Sequence, residues 1–222
     1  MSLTSILLYA TSVLAVFSGF SAFIGASKTD KKKMAWFFAT TIMAAIWTVS
    51  IAMFLDLPIT ASESAPFWIM SIYISSAVMM VMLLGYAGWE YTVGKILTFL
   101  AVVALVITAT VVVMNTRLLF DGFELATQGN TVHLVNGVVY WLYAFYFALN
   151  SVLAWCFIWK RSRKTSSKKV RMGDRTLMVG LVITGALAMI SDLVLPLFVR
   201  YDLIWIGPLA LSITLVSFYY AI

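Results

Sequence analysis

The sequence predicts an all-α membrane protein, a bundle of seven transmembrane helices with its N-terminus outside and its C-terminus inside the cell. Three observations predict this fold class. Of the 222 residues, 63% are apolar and only 11% are charged, whereas soluble domains carry about 25% charged residues. Seven apolar stretches each approach the roughly 20 residues that a helix needs to cross a bilayer. Finally, 13 of the 15 lysines and arginines fall in alternate loops between these stretches.

Charges and turn residues divide the chain into its spans. A lysine cluster at 28–33, Pro58 and Gly122 mark three of the breaks, and a sixteen-residue basic segment from Lys160 to Arg175 separates the fifth span from the sixth. No soluble segment, low-complexity linker or internal repeat is evident. We therefore expect one domain over residues 1–222, with helices at about 3–25, 34–55, 66–87, 96–114, 132–159, 177–198 and 203–222.

The distribution of charge predicts the orientation. Cytoplasmic loops of membrane proteins carry an excess of Lys and Arg. Three loops on one side hold Lys28, Lys31–Lys33, Lys95 and the eight cations of the basic segment, whereas the other side holds only Arg117 and Arg200. Because this clustering accounts for the net charge of +6, we expect the lipid bilayer, and not nucleic acid, as the partner of the charged surface. The absence of an Asn-X-Ser/Thr sequon agrees with a prokaryotic cell membrane.

Asp192 is the one carboxylate well inside a predicted span. A charged side chain there costs about 2.5–3.5 kcal/mol on insertion scales, so it should face the bundle and be paired or protonated. One interpretation makes Asp192 a ligand contact, a proton-sensitive switch or a counter-ion. The other makes it a structural hydrogen bond from helix 6 to helix 5 or 7, and the sequence leaves both open.

The fifth span carries polar and aromatic residues at helical spacing, which places them on one face. Such a stripe should point into the bundle, because its amide and hydroxyl groups need partners in a bilayer. One hypothesis is a ligand pocket open to the outer face, lined by this stripe with Asp192 and Trp47. The alternative is helix packing. Trp141 is also expected to pack deeply or to line a cavity. The stripe consists of Asn136, Tyr140, Tyr143, Phe147 and Asn150.

Three residues in the last third predict weak points in the helices. Pro208 has no backbone N–H, and the neighbouring Gly207 allows close approach of another helix, so we expect a kink at the start of helix 7. Pro196 adds a second weak point near the outer end of helix 6. A ligand or proton near Asp192 could then move the inner end of helix 7.

Residues for catalysis are not evident. The chain has one histidine and one cysteine, no carboxylate pair, no nucleophile next to a base and no glycine-rich phosphate loop. We expect no enzyme activity, no catalytic residue, no metal and no cofactor. A rhodopsin-like photoreceptor is excluded, because it would need a lysine in helix 7 to form the Schiff base with retinal, and residues 203–222 contain no lysine. A small transporter would need repeated halves or interrupted helices, and it remains an alternative together with a ligand-free membrane scaffold.

Over nearly its whole length, and most specifically in its last third, the chain resembles the N-terminal seven-transmembrane region of bacterial sensor histidine kinases. The shared features are a polar residue, an apolar triplet and proline, then a Tyr-Asp turn, Gly-Pro-Leu and a closing Tyr-Ala-Ile. Trp47 and the start of the fifth span at Asn136-Gly137 agree as well. In this sequence they stand at Asp192–Pro196, Tyr201-Asp202, Gly207–Leu209 and Tyr220–Ile222.

The resemblance implies a sensory module of a two-component system. It would detect an extracellular or membrane-borne signal, such as a small amphipathic ligand, and pass it through helices 6 and 7 to a cytoplasmic signalling domain or protein. It also implies a homodimer. The output would follow helix 7 in a longer protein or lie on a separate partner chain.

Overall fold

The computed structural model describes residues 2–57, 64–114, 120–125, 132–136, 138–194 and 203–221. Within these residues the chain forms seven α-helices and one short β-hairpin, and a π-helical turn at Met189–Val194 extends the sixth helix. The helices are α1 (Leu3–Gly25), α2 (Lys31–Leu55), α3 (Ala65–Gly88), α4 (Thr92–Met114), α5 (Val138–Lys164), α6 (Lys168–Ala188) and α7 (Ile206–Ala221).

The hairpin corrects the predicted start of the fifth span. Strand β1 (Phe120–Leu125) pairs in antiparallel fashion with β2 (Val132–Asn136), and Glu124 lies opposite His133. Residues 132–136 are too apolar to be separated from the following span by composition, but Val-His-Leu alternates with the period of two that a strand requires. Helix α5 therefore begins at Val138 and not at 132.

The basic segment is also different from its prediction. Helix α5 continues to Lys164, and α6 begins at Lys168 after Ser167, whose hydroxyl accepts a hydrogen bond from the Val170 N–H at 3.4 Å. The connection is therefore three residues, not sixteen. Most of its cations lie on helix surfaces, where their positions are fixed by the two helices.

The helices form a ring in the order α1, α2, α3, α5, α6, α7, which closes where α7 packs against α1. Helix α4 lies outside this ring, mainly against α3, and much of its apolar surface is exposed. In the described part of the chain, six helices are long and apolar enough to cross a membrane, and a shorter apolar helix covers Ile206–Ser217. These features confirm the predicted helical membrane bundle.

Hydroxyl groups join the helices inside the ring. Ser50 of α2 bonds Ser71 of α3 at 2.7 Å, and Thr184 of α6 bonds Thr214 of α7 at 3.1 Å. Hydroxyls also donate within helices, as from Thr48 to the Ala44 carbonyl at 2.7 Å. Each bond satisfies a polar group that would be costly to leave unpaired in hydrocarbon.

The ends of the ring that carry the α1–α2, α3–α4 and α5–α6 connections hold the cluster at 28–33, Lys95 and the cations of residues 160–175. We call this end of the bundle the basic end.

Candidate functional site

A cavity of about 220 Å³ lies between α5 and α6, and we call it the α5–α6 cleft. Small residues make room for it, since Ala148 on α5 and Gly185 and Ala186 on α6 face it across the gap. A methyl group on Gly185 would meet no atom within 4 Å. The rest of the lining comes from Ser151, Val152 and Trp155 on α5, from Leu181, Val182, Thr184 and Met189 on α6, and from Trp47, Met79, Met80, Phe147 and Leu211.

The cleft opens sideways through the surface of the bundle. Val152 and Val182 lie at its two edges and are 58% and 56% exposed, respectively. Exposed apolar side chains on a membrane-spanning helix face acyl chains. The cleft therefore opens on the apolar outer surface of the bundle.

The lining of the cleft is almost entirely apolar. The Ser151 hydroxyl donates to the Phe147 carbonyl at 2.8 Å, and the Thr184 hydroxyl is bonded to Thr214. Trp47 is only 2% exposed and brings an indole N–H, which is a donor without acceptor capacity. The cleft thus favours a hydrocarbon body with few polar groups.

Tyr140 and Tyr143 of the predicted stripe face α3, whereas Phe147 lines the cleft. Tyr140 is fully buried, and the Tyr143 hydroxyl is bonded to Ser76 at 2.7 Å. The ring of Tyr73 on α3 lies edge-on to both, with centroids 6.2 Å from Tyr140 and 4.8 Å from Tyr143. These aromatic residues pack α3 against α5, as the helix-packing interpretation expects.

The other predicted ligand residues are dispersed. Asn136 lies at the end of β2, so it is not on the α5 face. Trp141 is 57% exposed on the outside of the bundle. The backbone of Asp192 belongs to the π-helical turn, and its side chain lies outside the described residues. Among the predicted residues whose side chains the structure describes, Trp47 and Phe147 line the cleft.

Gly207 and Pro208, the predicted hinge residues of helix 7, lie at the very start of α7. Because α7 begins at Ile206, Pro208 lies in its first turn, where backbone N–H groups have no partner within the helix. Proline is tolerated at such a position, so it produces no kink of the kind predicted. Gly207 and Pro208 are both buried. Pro196 lies outside the described residues.

A buried ion pair near the basic end was not anticipated. The Arg161 guanidinium of α5 donates to both carboxylate oxygens of Asp174 on α6, with Nε–Oδ2 at 3.0 Å, and to the Tyr86 hydroxyl of α3 at 3.1 Å. The side chains of Arg161 and Asp174 are only 4% and 2% exposed. The guanidinium also lies 4.8 Å from the centre of the Tyr86 ring. We call these three residues the Arg161 cluster.

A second ion pair extends the cluster to α2. Lys33 lies 2.7 Å from Glu90 and 5.8 Å from the centre of the Tyr86 ring. Tyr86 is thus placed between cations from α2 and α5. Through these contacts the basic ends of α2, α3, α5 and α6 are linked. The sequence held one signal of this ion pair, since Asp174 is the one acid among the eight cations of the basic segment. It was missed because the segment was predicted to be a loop and not the ends of two packed helices.

The arrangement combines an apolar cavity between α5 and α6 with a buried ion pair that links the two helices. Among the residues that the structure describes, no three histidine, cysteine, aspartate or glutamate side chains are grouped to hold a metal ion.

The comparisons with known proteins agree with the architecture. The family described as "N-terminal 7TM region of histidine kinase" matches residues 7–222. A comparison with curated proteins yields no match. With six long apolar helices, the family match identifies a multi-pass membrane protein of the bacterial inner membrane and a sensory region of two-component signalling. It also confirms the resemblance drawn from the sequence. The chain belongs to the family of N-terminal seven-transmembrane regions of histidine kinases.

Proposed function

We propose that this sensory region detects a membrane-borne apolar or amphipathic molecule that enters the α5–α6 cleft from the side. The observation that carries the proposal is that Val152 and Val182, which line the cleft, are both exposed on the outer surface of the bundle, where apolar side chains of spanning helices meet acyl chains. A ligand dissolved in the membrane reaches such an opening without crossing the polar surface.

The lining indicates the chemistry of the ligand. Apart from Ser151 and Thr184, the side chains around the cleft are aliphatic, aromatic or methionine, and methionine adapts to varied apolar shapes. Hydroxyl groups at Ser151 and Thr184 are already bonded, so the indole N–H groups of Trp47 and Trp155 are the donors left in the lining to recognise an acceptor. A hydrocarbon chain with one hydroxyl or carbonyl group meets these requirements.

The path of the signal through the bundle depends on which helix contacts are firm. On the basic-end side of the cleft, the Arg161 cluster holds α5 and α6 together. A ligand that separates the two helices at the cleft therefore changes the tilt of α6 about this point. Helix α7 packs closely on α6 through Gly180 and Thr214, so it follows the movement.

The output lies at the basic end in this proposal. The excess of Lys and Arg there favours a cytoplasmic position, which leaves the N-terminus outside. Helix α7 ends at that side, so its movement reaches a cytoplasmic kinase domain or a separate signalling partner, as expected for an input region of a histidine kinase.

Binding is tested with the purified chain in detergent micelles and 12-bromododecanol, whose bromine quenches tryptophan fluorescence on contact. Trp47 and Trp155 line the cleft, so we expect a saturable component of quenching in the native protein. Gly185→Leu should remove this component, because its side chain fills the open space beside Gly185.

Gly25→Leu is the matched control. Gly25 is also free of neighbours within 4 Å, but it ends α1, far along the chain from the cleft helices. Saturable quenching should persist in this variant. If Gly185→Leu keeps the same saturable quenching as Gly25→Leu, the cleft is not the binding site.

A further inference from the structure

The turn between α3 and α4 brings two lysines over one aromatic ring. Tyr91 in this turn stacks on Phe157 of α5 with ring centroids 5.4 Å apart. The ammonium groups of Lys160 and Lys164, one helical turn apart on α5, lie 4.9 and 6.0 Å from the centre of the Tyr91 ring. Two ammonium groups thus lie within 6.0 Å of the centre of one aromatic ring.

Nearby carboxylates are already occupied. Glu90 is paired with Lys33, and Asp174 with Arg161. Within the described parts of the chain, these are the two ion pairs, so neither Lys160 nor Lys164 has an acidic partner there. Moreover, Nη1 of Arg161 is buried without a hydrogen-bond acceptor among the described residues. The positive charge around the turn is therefore incompletely balanced by the protein.

The phenol of Tyr91 adds a neutral donor to this positive region. Burial raises the pKa of Tyr91 above its ordinary value, the Glu90 carboxylate raises it further, and the Arg161 charge opposes the rise. The hydroxyl keeps its proton at neutral pH because the net shift is upward. It can donate to an anionic oxygen.

The adjacent seam between α4 and α5 is open to lipid. Helix α4 packs mainly on α3 and contacts α5 at few positions. One of these contacts is the bond from the Tyr146 hydroxyl to the Ala101 carbonyl at 3.1 Å, well away from the turn. Farther toward the basic end, Ile96, Phe99 and Leu100 of α4 are exposed and apolar. Acyl chains can lie beside a headgroup bound at Tyr91.

We propose that Lys160, Lys164 and Tyr91 form a binding site for the phosphate of an anionic phospholipid from the leaflet at the basic end. Lysine ammonium groups bind phosphate as point charges, and basic residues just outside the membrane attract anionic lipids. The aromatic ring attracts both ammonium groups, so the site differs from a lysine-rich surface in general. It is separate from the α5–α6 cleft.

Thermal unfolding of the full chain in zwitterionic micelles tests the site, with phosphatidylglycerol titrated against phosphatidylcholine. Phosphatidylglycerol should raise the melting temperature of the native protein. Lys160→Ala/Lys164→Ala should increase the concentration needed for half of this shift by roughly tenfold or more, as two lost phosphate contacts would. Lys160→Arg/Lys164→Arg keeps both charges and should retain most of the effect.

Lys28→Ala/Lys32→Ala removes the same charge from exposed lysines at the same end and serves as the matched control. It should leave the half-shift concentration nearly unchanged. Equal losses in the two double variants would mean that only the general positive charge attracts the lipid, and would overturn the proposal. It would also fail if phosphatidylglycerol has no effect on the native protein, or if inorganic phosphate reproduces the shift.

Discussion

Asp174→Asn is expected to lower the free energy of unfolding by about 3–5 kcal/mol, because it leaves the buried Arg161 guanidinium without its counter-charge. Both side chains are nearly inaccessible and share at least two hydrogen bonds. The Tyr86 hydroxyl gives Arg161 one further partner but no negative charge. Unfolding by SDS titration in mixed micelles, followed by far-ultraviolet circular dichroism, measures the loss.

Two further variants test whether loss of the buried counter-charge causes the destabilisation. Glu90→Gln breaks the other ion pair at this end, whose carboxylate side chain is 45% exposed, and should cost about 0–1 kcal/mol, as for surface pairs. Arg161→Met/Asp174→Leu removes both buried charges and should recover much of the loss. A loss below about 1 kcal/mol for Asp174→Asn would show that the Arg161 cluster is not an energetically important connection.

Gly180→Ala should destabilise the contact between α6 and α7 by about 1–3 kcal/mol through overpacking. A methyl group on Gly180 would lie 2.6 Å from Oγ1 and 2.9 Å from Cβ of Thr214. Thr214 is β-branched and therefore stiff, so α7 has to shift away. The same SDS titration measures the change, and loss of the Thr184–Thr214 bond should accompany it.

Gly185→Ala provides the control on the same helix. Its methyl group meets nothing within 4 Å, so alanine should stabilise α6 by up to about 1 kcal/mol through helix propensity. Equal effects at positions 180 and 185 would mean that close packing on α7 does not distinguish the two glycines.

The apolar spans were predictable because each helix must satisfy its own backbone in a bilayer, whatever its neighbours are. The exception, residues 132–136, has the composition of a span but the alternation of a strand. The helix ends were predicted wrongly where lysines and arginines were taken to mark a loop. Their long side chains allow a helix such as α5 to continue beyond the apolar region, to Lys164.

The site was harder to predict because helical spacing shows which residues share a face but not which helix that face meets. Tyr140 and Tyr143 point inward as expected, yet they meet Tyr73 and Ser76 of α3. The cleft depends on small residues such as Gly185 and Ala148. Small side chains leave a cavity only where the facing helix does not fill the space, and the sequence does not show which helix that is. The ion pair of Asp174 with Arg161 could be recognised only in the structure, where the packing of α5 on α6 places the two side chains together.

The most direct test is the distance between the ends of α2 and α7 with and without a molecule in the cleft. Cys156 is exposed and is first replaced by alanine. Spin labels are then placed at Lys32→Cys and Ser217→Cys, both of which are exposed positions. Pulsed electron–electron double resonance on the reconstituted chain gives the distance distribution between the two labels.

We predict that 12-bromododecanol shifts this distribution, and that Gly185→Leu abolishes the response to it. A distribution that stays unchanged while tryptophan quenching shows the cleft to be occupied would contradict coupling of the cleft to α7.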